Sequence, residues 1–98
     1  MEIISDYSIQ TFEIEGIKYP SVSNIIFNIT NSKNPMQIYR RIINNEELIK
    51  LEIKKFNRMI VIPITKVNHL VALFLPNCHV PIQKKKEIFA KYDLYKYL

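Results

Sequence analysis

The stretch Met59–Phe74, MIVIPITKVNHLVALF, constrains the fold more than any other part of the chain. Met59, Ile60, Val61, Ile62 and Ile64 form a short, nearly continuous apolar run rich in β-branched residues. Such a run is expected of a strand covered on both faces. Pro63 has no amide to give to a ladder, so it marks a strand end or a strand edge. Thr65 stands where a helix N-cap belongs, with a hydroxyl able to accept from the free amides of the first turn. Val67, Leu70, Val71 and Phe74 then recur at the spacing of one helix face. The expectation is a buried strand running straight into a buried helix, with the rest of the chain packed around the pair.

Ninety-eight residues are expected to make a single compact domain over 1–98. The hydrophobic share of 48% is enough for a core without metal or disulfide staples. Cys78 is the one cysteine, so these residues hold no disulfide, which fits a reducing compartment or indifference to redox. No apolar run approaches the ~20 residues that cross a bilayer. Glu2 and Asp6, without a basic segment, argue against a signal peptide. An intracellular chain with no membrane partner is therefore expected. Ile, Asn, Lys and Tyr are abundant and glycine occurs once. These are the residues of AT-rich codons, which points to an AT-rich virus, phage or bacterium as the source.

Residues 1–8 read as a possible frayed arm. Phe12, Ile14, Ile17 and Tyr19 flank Glu15-Gly16, the signature of a β-hairpin turning at the only glycine. Ser21 is placed to N-cap a short helix containing Val22, Ile25, Ile26 and Ile29. Asn34-Pro35 starts a second helix. Met36, Tyr39, Ile42 and Ile43 share one side of it, and Asn44-Asn45 is expected to close it. Glu46 and Glu47 open a further turn. Leu48–Phe56 reads either as a strand or as a continued helix. The strand reading makes a second hairpin, with Asn57-Arg58 as its turn. Ile82–Leu98 is expected to be a basic amphipathic C-terminal helix carrying Ile88, Phe89, Tyr92, Tyr95 and Leu94 or Leu98 on one stripe. The fold class is α+β: small β-hairpins packed against three or four short helices around the central strand–helix unit.

Chemistry is sparse. One cysteine and two histidines, Cys78, His69 and His79, fall short of a zinc ligand set, and no metal site is expected. A single glycine excludes a glycine-rich phosphate loop. The carboxylates sit beside lysines, as surface charge does. No catalytic constellation results, and neither an enzyme nor a small-molecule cofactor is expected. Asn28-Ile29-Thr30 matches a glycosylation acceptor, which is incidental in an intracellular chain.

The net charge of +5 and pI near 9.4 favour an anionic partner. The cations cluster as Lys33, Arg40 and Arg41, as Lys50, Lys54, Lys55 and Arg58, and as Lys84, Lys85, Lys86 and Lys91. Such clusters neutralise phosphates and release counterions. They also occur as plain solvated surface. Tyr92, Tyr95 and Tyr97 suit base stacking, a protein partner or simple core packing.

The order hairpin, helix, Asn-Pro helix, basic segment, apolar strand and helix, from Phe12 to Phe74, resembles the BRO-N and KilA-N type modules of large DNA viruses and phages. The elements that carry the resemblance are Phe12-Glu13-Ile14-Glu15-Gly16-Ile17-Lys18-Tyr19, Asn34-Pro35 and the final strand–helix unit. The chain departs from that pattern over Asn28–Asn34, where those modules carry a glycine–aromatic pair. Ile62-Pro63-Ile64-Thr65 leading to Leu70 is also faintly similar to the Ski/Dachshund fold. The resemblance implies DNA binding in a viral regulatory protein. The expected function is a nucleic-acid-binding module, DNA ahead of RNA, contacting phosphate through Arg40, Arg41, Lys54, Lys55, Arg58, Lys84, Lys85 and Lys86. The alternative is a small viral protein-interaction module that inhibits a host protein or forms a homodimer, using Met36, Tyr39, Tyr95 and Tyr97.

Overall fold

Two antiparallel hairpins frame the N-terminal half of the chain. In the computed structural model, which describes residues 9–97, β1 (Thr11–Ile14) pairs with β2 (Ile17–Pro20) around Glu15-Gly16. The arm at 1–8 and Leu98 of the terminal stripe lie outside the described residues. β3 (Lys54–Phe56) pairs with β4 (Met59–Val61) around Asn57-Arg58. The open choice over Leu48–Phe56 thus resolves as a helix end followed by a strand.

Between the hairpins run α1 (Val22–Thr30), α2 (Pro35–Ile42) and α3 (Asn45–Lys50), and α4 (Val67–Phe74) and α5 (Ile82–Lys91) follow. The mixed α+β class and the paired hairpins are as read from the sequence; among the described residues the α-helices number five once the short α3 is counted. Ser21 is fully buried and caps α1, its Oγ accepting from the Asn24 amide at 3.4 Å. Asn31 ends that helix in the left-handed conformation.

The hairpins are stitched together at the same place. Ser21 bridges Val61, and the Ile62 amide donates to the Pro20 carbonyl at 3.1 Å. Pro63 stops the ladder there, so β4 has three residues and only Val61 is fully buried. The expectation of a strand covered on both faces fails for Met59 and Ile60, which are only half-buried at the turn end of a three-residue, two-stranded ribbon.

α4 buries the face expected of it: Val67, Leu70, Val71 and Phe74 are all at or below 2% exposure. They meet Val22, Ile25 and Ile26 of α1, Tyr39 of α2, Leu51, Ile62, Leu75, Phe89 and Leu94 in one core cluster. Complete burial of a Leu or Phe side chain contributes about 1.5–3 kcal/mol, so this cluster is where the stability of the fold lies.

Three helix boundaries differ from expectation. Thr65 does not cap α4. It is exposed in a 3-10 turn, Ile64–Lys66, which reaches α4 through the Lys66 amide donating to Pro63 O at 2.8 Å. Asn44 does not close α2. Ile43 is extended there, and the Asn44 side chain instead accepts from the Glu47 amide at 2.8 Å, starting α3. The C-terminal helix expected over 82–98 stops at Lys91. Asp93 turns left-handed (φ 53°), which lets Leu94 enter the core and a 3-10 turn, Leu94–Tyr97, lie against α4.

Candidate nucleic-acid interface

The candidate site is a hollow of about 440 Å³ between α2 and the β3–β4 hairpin. Arg40 and Met36 line it from α2, Lys55, Asn57, Arg58, Met59 and Ile60 from the hairpin, and Ser23 from α1. Met36 and Arg40 are one helical turn apart, so they share a face of α2. They also border a second, shallower hollow of about 470 Å³ formed with Lys33, Asn34, Pro35 and Gln37. Lys33, Arg40, Lys55 and Arg58 therefore line two neighbouring hollows that share Met36 and Arg40, together the candidate depression, and among the described residues no carboxylate lines either. Tyr39, next to Arg40 in sequence, turns into the core, where burial raises its hydroxyl pKa.

Elementary geometry sorts the remaining cations away from this depression. Successive helix residues step by about 100°, so adjacent arginines on α2 diverge. Arg41 lines a different hollow, of about 330 Å³, with Gln37, Ile38, Thr30, Ser32 and the Asn77–His79 loop. Successive strand residues face opposite ways. Lys55 faces the depression, whereas Lys54 points at the first hairpin, 5.2 Å from the Tyr19 ring centroid with its Nζ 3.4 Å from the Tyr19 hydroxyl.

On α5, Lys85 donates to the Pro76 carbonyl at 3.1 Å, and Lys84 and Lys86 are exposed. None of the three lines the depression. Of the eight cations expected to contact phosphate, the fold gathers Arg40, Lys55 and Arg58. It adds Lys33 and flanks them with Ser23, Met36, Asn57 and Met59.

No family model, no curated protein and no solved structure matches this chain. The functional reading rests on the side chains themselves.

Other chemistry is thin. Among the described residues no three metal-ligating side chains gather. Cys78 is buried, its Sγ 3.0 Å from the Leu75 carbonyl, and burial raises its pKa. His69 stacks on Tyr97 with centroids 4.9 Å apart. Burial lowers its pKa, Glu47 opposes that, and Lys50 and Lys66 reinforce it. The residues considered for a protein-interaction surface are largely committed elsewhere. Tyr39 is in the core, Tyr97 is stacked, and Tyr95, although 57% exposed, packs its ring on Phe89. No described helix is long and apolar enough to cross a membrane.

Proposed function

We propose that this chain is a non-enzymatic nucleic-acid-binding module, acting on DNA in the manner of a viral or phage regulatory protein. The observation that carries the reading is the joint lining of one hollow, with no carboxylate among its described residues, by Arg40 of α2 and by Lys55 and Arg58 of the second hairpin. Cations brought together from separate elements, with no carboxylate among the described lining residues, favour a polyanion over a scatter of counterions. Lys33 extends the line along the start of α2. Lysines and arginines so placed neutralise successive phosphates and release the ions condensed on them.

The test is anisotropy of a fluorescent duplex and a fluorescent single strand at ~50 and ~200 mM salt, the range over which phosphate-driven binding falls steeply. Tight duplex binding that weakens sharply with salt is expected. The triple variant Arg40→Gln, Lys55→Gln, Arg58→Gln is expected to bind weakly, with a salt slope lower by about 0.9 for each phosphate no longer neutralised. Absence of binding at the lower salt overturns the reading and turns attention to a protein partner.

A further inference from the structure

Both hairpins turn through two residues, and their turns differ in a telling position. The β1–β2 pair closes at Ile14 and Ile17 around Glu15 (φ 52°) and Gly16 (φ 82°). The β3–β4 pair closes at Phe56 and Met59 around Asn57 (φ 48°) and Arg58 (φ 66°). Positive φ at both central residues is the requirement of the type I′ turn, which follows the twist of the strands and favours Asn then Gly. The first turn has its glycine at the second central position. A Cβ built on Gly16 meets nothing within 4 Å, so glycine serves the backbone angle there and not a close approach.

The second turn has its Asn at the first position and then places Arg58 where glycine belongs. A long side chain in the left-handed region is unfavourable, and residues held so cluster at functional sites, where the strain is tolerated for a purpose. Glu15 and Glu52 are also left-handed, but neither lines the cationic depression, whereas Arg58 does.

We propose that Arg58 is the groove-reading residue of the nucleic-acid site. This rests on the function proposed above and assigns its parts. Arg40 and Lys55 hold phosphates, and the tight tip carries the Arg58 guanidinium into the major groove. A two-stranded ribbon fits the ~12 Å width of that groove. The planar guanidinium pairs in bidentate fashion with guanine O6 and N7 through a fixed fork, whereas a lysine ammonium meets the same edge as a flexible, strongly hydrated point charge.

The experiment compares the wild type with Arg58→Gly and Arg58→Lys, by thermal melting and by anisotropy on a guanine-rich duplex and an A·T-only duplex. Arg58→Gly is expected to melt about 2–6 °C higher, because the turn gains its preferred residue. It is expected to bind the guanine-rich duplex about tenfold or more weakly. Arg58→Lys, which keeps the charge, is expected to lose as much of the preference for guanine. Wild-type behaviour of Arg58→Lys on both duplexes, or equal wild-type affinity for the two, overturns the assignment and leaves phosphate binding standing. A Gly variant that melts no higher than wild type overturns the argument that the arginine is kept at a conformational cost. A wild type that binds neither duplex overturns the assignment and the proposed function together.

Discussion

The Phe12 ring of β1 lies 5.0 Å from the Phe56 ring of β3, tilted by 57°. The contact joins the two hairpins beside the tip that carries Arg58. Lys54 over Tyr19 extends it along the same face of β3. The first hairpin thus acts as a prop for the second, whose strands are three residues each and too short to be stable alone.

Phe12→Ala is expected to lower stability by about 1–2 kcal/mol, since a tilted aromatic pair adds to the area it buries. It is also expected to weaken duplex binding although no charge is removed. Thermal melting with anisotropy checks both. A variant that melts lower but binds as the wild type does would show that the prop is not needed for the site.

Lys54 and Lys55 are neighbours in sequence and opposites in role. Lys55→Gln is expected to weaken duplex binding and to reduce the salt slope by about one, as removal of a single phosphate-binding cation does. Lys54→Gln is expected to leave the slope unchanged and to weaken the packing on Tyr19 instead. Equal slopes for the two variants would mean that binding does not use the face on which Arg40 and Lys55 meet.

The sequence made the elements more legible than the site. Gly16 and Asn57 announced the turns, Ser21 announced α1, and the spacing of Val67, Leu70, Val71 and Phe74 gave the buried face of α4. Boundaries failed where two local options compete. Asn44 can end one helix or begin the next, and the free amide of Glu47 decided it. Thr65 lost its capping role to a 3-10 turn that the preceding proline favours. The depression was not legible because it depends on which neighbours share a face after packing. The strand alternation separating Lys54 from Lys55, and the helical step separating Arg40 from Arg41, are regular. Which member of each pair faces the other element depends on how α2 and the second hairpin pack together. Ser23 carried no signal, and Met36 read only as an apolar residue of α2 or of a protein-interaction surface until α1 and α2 met the hairpin.

Cys78 offers a probe of the loop between α4 and α5. Its thiol is buried, bonded to the Leu75 carbonyl, and raised in pKa by burial despite the opposing effect of Lys85. The thiolate is the reactive form, so little is present at neutral pH. Labelling by a thiol reagent at pH 7 is expected to be slow in the native protein and fast in denaturant. Rapid native labelling would show that the Leu75–Val80 segment opens readily.

His69 gives the fold a pH dependence of definite sign. Its ring stacks on Tyr97, and burial holds its pKa below the ordinary 6.5. Glu47 favours the charged form, but it is outweighed by burial together with Lys50 and Lys66. The folded state therefore keeps His69 neutral at a pH where the unfolded chain has begun to protonate it. Where the unfolded state binds more protons, stability rises with pH. The contribution is fully present above pH 6.5 and is lost as pH falls through the lower folded-state pKa. His69→Phe keeps an aromatic ring for Tyr97 and removes the titration. The wild type is expected to lose more of its melting temperature between pH 7 and pH 5 than this variant does, the shared groups cancelling in the comparison. Parallel melting curves for the two proteins across that window would show that His69 is no less willing to protonate in the fold than outside it.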